Sequence, residues 1–477
     1  MLLRGGRLGD ISSDVLSFIS SREADLWITK ADLLVDRAHL VMLKEADLIT
    51  AEDCSKIIAA LDEIEPSDLP EGEDVHEAIE ASVIAKAGEV GGRMHTGRSR
   101  NDEVATCIRL ELREQMQGLC NELQILTNVL LCLSEENMFT IVPGFTHLQH
   151  AQPTTLGHHL LSHADSLIRD HERLIDAYKR VNICPLGAAA FASTGFPINR
   201  ERTASLLGFD GLVENSMDAV SSRDFLLEVT SNLSILMVNL SRMAEEIILW
   251  STSEFGYVEI DDMFASTSSI MPQKKNPDTA ELVRGKTGTV IGCLTAVLCI
   301  NKALPMSYNR DLQEATPHLW RAVQTTRSAV RIMTGCAQSL KFNKDRLKQS
   351  AGFGFSTATE IADSLVRVTK IPFRTAHRIV GRLSAVNQSP TLFELDDVAM
   401  DVAGIMPSKM GYTTDDLMRA LTPEQNVAVR SRTGGPAPKE VERMLMIRKE
   451  KLERMKQDLE KRTGKTADAI RSLMEMK

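Results

Sequence analysis

The run Ser268-Ser269-Ile270-Met271-Pro272-Gln273-Lys274-Lys275-Asn276-Pro277-Asp278 gathers two serines, two lysines and an asparagine between apolar stretches. Helix packing demands none of these residues. The pattern predicts a loop that opens into a helix at about Asp278. Backbone N–H groups at a helix start, the Asn276 amide and a lysine can converge on a carboxylate, so the run predicts an anion site. A second cluster, His95 to Glu103 (HTGRSRNDE), precedes a long apolar-periodic segment. Its Arg98 and Arg100 suit two-pronged carboxylate binding, although a basic helix start is more often simply solvated. A third, Gly144 to Pro153 (GFTHLQHAQP), centres on His147. Taken alone, a histidine beside proline and glycine is more often a satisfied turn residue.

Together the three strings resemble the argininosuccinate lyase family of the fumarase/aspartase superfamily. QKKNPD in the first string and GRSRND in the second are the variants typical of that family, and the third fits its pattern G-[YF]-T-H-L-Q-x-A-Q-P. Weaker stretches follow in the same order: Arg4 to Arg7 (RGGR), Phe18 to Asp32 with Ser21 at the substrate-binding serine, Glu73 to His76 (EDVH), and Tyr308 to Glu314 (YNRDLQE). Ile371 to His377 (IPFRTAH) and Gly434 to Pro438 (GGPAP) are also family-like. The resemblance runs from residue 4 to about residue 445, and the remaining segment carries no recognisable motif.

The resemblance implies an all-α fold, a long central helical bundle flanked by two smaller helical domains, assembled as a homotetramer. It implies reversible β-elimination of argininosuccinate to arginine and fumarate. The hard step is removing a proton beside a carboxylate, which requires positive charge and N–H donors on that carboxylate. By resemblance Ser268 is the base, His147 the acid oriented by Glu281, and Lys274 and Asn276 stabilise the carbanion. The sequence leaves open which of Ser268 and His147 takes the proton. Ser21, His76, Arg98, Ser99, Arg100, Asn101, Thr146, Asn276, Tyr308 and Gln313 are the expected substrate-binding residues. No metal or organic cofactor is called for, and His158 and His159 read as ordinary helix residues. One departure stands out. Thr316 occupies the place of a family lysine that contacts substrate, so either a neighbour such as Arg321 supplies the charge or the contact is missing. The rival readings are adenylosuccinate lyase or another superfamily lyase, and a non-catalytic, crystallin-like structural homologue. GRSRND and QKKNPD argue against the first. Retention of Ser268, His147, Lys274 and Glu281 argues against the second.

Long helices must position these residues. Leu112, Met116, Leu119, Leu123, Leu126, Leu130 and Leu133 form one heptad seam; Leu226, Val229, Leu233, Leu236, Leu240, Met243 and Ile247 form another. Each predicts a long helix pressed against similar ones, and both seams are expected to be buried between subunits. A third helix is expected from about Thr279 to Ala303. Breaks in the pattern place boundaries near 104 and 350, giving an N-terminal domain 1–104, a central bundle 105–350 and a C-terminal domain 351–477. Aromatics are only 4% of the chain, and abundant aliphatic residues favour packed helices over sheets. The net charge of −10 gives no electrostatic reason to hold nucleic acid. The scattered cysteines show no metal or disulfide spacing and read as reduced. No leader peptide and no membrane-spanning run are expected, so the expected compartment is the cytoplasm.

Overall fold

A computed structural model describes residue 9 and residues 11–476, so the RGGR stretch lies outside the described residues. The N-terminal part contains helices α1 (Thr29–Glu45), α2 (Ala51–Asp62) and α3 (Val75–Ala87). Next come α4 (Arg100–Glu136), a hairpin of β1 (Ile141–Thr146) and β2 (Gln149–Thr155), α5 (Leu156–Val181) and α6 (Asp224–Ser251). A small flap of β3 (Ser266–Thr267) and β4 (Lys275–Asn276) leads into α7 (Asp278–Asn301) and α8 (Ala315–Ser339). The C-terminal part holds α9 (Ala358–Thr369), α10 (Phe373–Ser384), α11 (Leu392–Ala403), α12 (Thr414–Leu421) and α13 (Pro438–Glu475). The fold is thus helical, as expected, apart from a few short two-stranded ribbons.

The heptad seams explain the bundle but not in the way expected. Leu112 to Leu130 on α4 and Leu226 to Ile247 on α6 are buried within the single chain, against α5, α7, α8 and α13. The seams therefore need no partner subunit. An open apolar face lies on α7. This helix buries only the stripe Ala280, Val283, Thr287, Val290, Cys293 and Val297, while Leu282 (59%), Ile291 (42%) and Leu298 (47%) are exposed. Gly285, Gly288 and Gly292 on the same helix face open space. Among the described residues α7 is the one helix long and apolar enough to cross a membrane by length and composition. Asp278, Glu281, Arg284 and Lys286 interrupt the apolar run at its start, so the sequence shows a helix here but no uninterrupted membrane-length stretch.

Among the described residues two large apolar cores form, with two small clusters beside them. The larger joins the N-terminal helices to the bundle, and α13 returns to it through Val441, Leu445, Leu452, Leu459 and Leu473. The smaller is built by residues 355–420 around Leu365, Leu383, Leu395 and Tyr412. The end of α13 is pinned by Arg37, whose guanidinium donates to the carbonyls of Leu473 (3.2 Å), Met474 (3.1 Å) and Met476 (3.1 Å). The Leu473 carbonyl also accepts from the Met476 N–H at 3.2 Å, and the buried cation helps to satisfy the carbonyls left over at the helix end. The eight cysteines are all unpaired; Cys132 and Cys299 are exposed and the others buried.

Candidate active site

Helix polarity divides the functional residues between two ends of the bundle. α4 has 37 residues, so its ends lie roughly 55 Å apart. The GRSRND residues lead into its first turn, and α6 starts beside them, directly after Arg223. The segment from Tyr308 to Thr316, which opens α8, reaches the same end. At the other end α4 runs into the hairpin, and α6 runs to Phe255 and Tyr257, whose rings pack on Phe145 of β1 at 5.8 and 6.5 Å. The flap follows and α7 carries the chain back.

The first end holds a cavity of about 200 Å³ whose walls include Ser21, His76, Arg100, Asn101, Tyr308 and Gln313. Six expected substrate-binding residues, drawn from four stretches of sequence, are thereby brought together. Asp25, Glu73, Asp74, Arg223, Arg310 and Thr316 complete the polar wall. Ser21 donates to Asp25 at 2.5 Å, and Arg100 donates to Asp74 at 2.6 Å. Gln313 donates to the Ile19 carbonyl at 3.1 Å, and Arg310 binds the same carbonyl at 2.9 Å and also Glu73. His76 Nε2, one terminal nitrogen of Arg100 and Arg223 Nε are buried without a hydrogen-bond partner. Orphaned buried donors are costly, and donors around one cavity are what an anionic ligand would satisfy.

Beneath the cavity lies a buried ionic network. His76 Nδ1 is 2.7 Å from Asp32, and Arg98 donates to Asp36 at 2.5 Å and meets Glu103 at 2.8 Å. Burial disfavours charge on His76, but Asp32 and Glu103 outweigh it and raise its pKa well above the usual value. Burial pushes Asp36 up to about 6 and Glu103 well up, more than Arg98 offsets. The structure does not bring Arg98 into the cavity; both its arms are spent on this network. Ser99 also has a local role. It is the N-cap of α4, in a capping box with Asp102, and accepts from the Asn101 N–H at 3.3 Å. Asn101 in turn donates to the Ala190 carbonyl at 3.0 Å.

At the second end His147 and Leu148 form the two-residue turn between β1 and β2. Both have positive φ, 55° and 58°, a left-handed conformation that costs about 1 kcal/mol or more for such residues. Thr146 precedes them, and both it and His147 are exposed. On the flap, Ser268 Oγ accepts from the backbone N–H of Ile270 (3.3 Å) and Met271 (3.1 Å). Donors aimed at a hydroxyl oxygen favour its deprotonated form. Lys275 is engaged by Asp262 at 2.6 Å and Glu259 at 3.4 Å, whereas Lys274 is exposed and makes no ion pair among the described residues. Asn276 pairs with Ser266 across the flap. The N-cap of α7, Pro277, makes no side-chain bond to the helix, leaving the first N–H groups free for an anion. Glu281 is one turn inside α7, 4.0 Å from Arg284.

Comparison with known proteins decides the family. The Lyase family model matches residues 18–292, and the model for the argininosuccinate lyase C-terminal region matches residues 355–428. The argininosuccinate lyase of Methanothrix thermoacetophila is 64% identical over 100% of this chain and 98% of its own length. That of Methanosarcina barkeri is 54% identical over 99% and 98%. The chain belongs to the argininosuccinate lyase family. Among solved structures, an EDDS lyase in complex with formate superposes with a TM-score of 0.87 at 34% identity, covering 94% of this chain and 91% of that one.

Sequence reading missed several cavity residues that the family member's fold assembles. Asp25 lies one helical turn after Ser21, and Arg223 stands between serines and the second seam, a charged residue at a helix start that could have been flagged. Arg321 does not line the cavity beside Thr316; its charge is felt by Cys293 of α7 instead. Arg100, Arg223 and Arg310 line the same cavity as Thr316.

Proposed function

We propose that this protein catalyses the reversible β-elimination of argininosuccinate to arginine and fumarate, and that the cavity at the α4 N-terminus and the Ser268 flap are two parts of one active site. Full-length identity with argininosuccinate lyases carries the reaction. In the proposed mechanism Ser268, deprotonated with its oxygen facing two N–H donors, takes the proton from the carbon beside the carboxylate. The electron pair spreads into that carboxylate, where Lys274, Asn276 and the uncapped start of α7 hold the developing charge. The carbon–nitrogen bond then breaks, and His147, oriented by Glu281, protonates the departing guanidino nitrogen. Ser21, His76, Arg100, Asn101, Thr146, Tyr308 and Gln313 hold the substrate. Arg98 and Ser99 position Arg100 and Asn101 from behind.

Because the two parts lie at opposite ends of one chain, a complete site takes parts from more than one chain. The exposed apolar face of α7, with glycines that permit close approach, supports a homotetramer over a membrane span. We further propose a cytoplasmic protein with units 1–104, 105–350 and 351–477, α13 returning to the main core. Light scattering should give a mass near four times 52.7 kDa; a monomer at micromolar concentration would overturn the shared site. Fumarate release should be rapid from argininosuccinate and absent from adenylosuccinate. The reverse preference would assign the protein to the other branch of the superfamily.

A further inference from the structure

Away from both parts of the proposed site, three side chains converge on one point. His159 and His163 lie one turn apart on the same face of α5, and Glu246 faces them from α6. The Nε2 atom of each imidazole is 2.7 Å from the same Glu246 oxygen, Oε2. The three ligating atoms all lie within 4.8 Å of one another. They border a cavity of about 30 Å³, otherwise lined by apolar residues of α4, α5, α6 and the end of α8, enough space for a single ion or water. The Trp250 ring is 4.9 Å from that of His159.

We propose that His159, His163 and Glu246 form a binding site for one divalent transition-metal ion, zinc fitting best. Two imidazole nitrogens and one carboxylate make up a three-ligand zinc set, which leaves a fourth position for water. The side chains are 25%, 16% and 38% exposed, so an ion and a water can reach them. Magnesium and calcium prefer shells of oxygen and are disfavoured by the two imidazoles. Zinc at about 2.0–2.1 Å from each donor sets the donors roughly 3.3 Å apart. Each Nε2–Oε2 separation must then open by roughly half an ångström, within reach of side-chain rotation. On binding, the ion takes the place of the Nε2–H protons that bridge imidazole and carboxylate, and each histidine binds as a neutral imidazole with its proton on Nδ1. Glu246 is ready as an anionic ligand: burial would raise its pKa, but the bonds and charges of the two histidines hold its carboxyl well below the usual range. The ion would staple α5 to α6 just beyond the β1–β2 hairpin. It plays no part in the elimination.

The test uses the full-length protein, stripped with a chelator and titrated with zinc by calorimetry. One zinc per chain should bind at micromolar affinity or tighter, and saturation should raise the thermal midpoint by a few degrees, because the ion binds the folded form. His163→Ala and Glu246→Gln should each weaken binding at least tenfold while fumarate release persists, which reports an intact fold. Nickel or cobalt at this site should quench Trp250 fluorescence. Trp250→Phe should lose that quenching and keep the stoichiometry, whether or not the histidine variants fold well. Absence of stoichiometric binding would overturn the proposal. So would binding that survives both ligand substitutions, or quenching that survives Trp250→Phe.

Discussion

The two ends of the bundle are built on opposite principles. At the α4 N-terminus Ser21, Arg100, Arg310 and Gln313 are already hydrogen-bonded, and beneath them lies a buried network in which Arg98 holds Asp36 and Glu103. At the far end Ser268, Lys274 and His147 sit on an exposed flap and a turn in left-handed geometry, with few side-chain contacts in their own chain. The difference separates two tasks. A substrate-holding wall benefits from rigid, pre-oriented donors. Groups that must close over the substrate and exclude water are better carried on short mobile elements. Under the proposed function, the opposite placement means that neither end is a site by itself.

The sharpest way to break this comparison is Ser268→Ala. It removes one oxygen from the flap and leaves the wall untouched. Turnover should fall by roughly 10²–10⁴, the scale for losing a positioned general base, while argininosuccinate binding changes little. Direct binding and turnover on the same variant separate the outcomes. Near-normal turnover would return the base role to His147, and lost binding with normal saturated turnover would make Ser268 a substrate ligand.

The next test asks whether the ends meet across chains. Arg100→Ala disables the wall and Ser268→Ala disables the flap. Each alone should be nearly inactive, yet co-refolded mixtures should recover activity, because about a quarter of randomly assembled sites carry neither lesion. If subunits exchange and no activity returns, wall and flap of one site come from one chain.

How much of this was legible in the sequence follows from what local pattern can report. The long helices were legible because a heptad of leucines survives any context. The same rule applied to the C-terminus would have found Leu445, Leu452, Leu459, Thr466 and Leu473, buried at intervals of seven along α13. The expectation that the seams face other subunits failed because periodicity shows that a face is covered, not by what. The β1–β2 hairpin was not anticipated, since a proline inside β1 and a turn of His and Leu rather than Asn-Gly disguise it. The wall residues Ser21, Arg100, Tyr308 and Gln313 were legible through motifs. Arg98 shows the limit of that route: residue type marked it as a carboxylate binder, but its partners are Asp36 and Glu103, and only packing reveals them.

That network gives a smaller but measurable effect. Arg98→Met should leave Asp36 and Glu103 buried without their cation and destabilise the fold by about 3–5 kcal/mol. Thermal midpoints at fixed protein concentration would register it. A loss below about 1 kcal/mol would mean that the carboxyls simply protonate and the wall does not depend on Arg98.

The smallest effect concerns Thr316, where the family lysine is missing. Arg310 lines the cavity, is half-exposed and reaches the Ile19 carbonyl and Glu73, so its charge is available to a carboxylate arriving there. Arg321 lies on α8 outside the cavity wall. Arg310→Gln should therefore raise KM for argininosuccinate by about tenfold, near 1.4 kcal/mol, with kcat little changed, because a contact made equally in ground and transition states alters binding alone. Arg321→Ala should leave both constants within about twofold. Steady-state kinetics on the two variants decide between them. If KM rises for Arg321→Ala and not for Arg310→Gln, the compensating charge comes from α8 of another chain, and the wall, like the flap, is completed only on assembly.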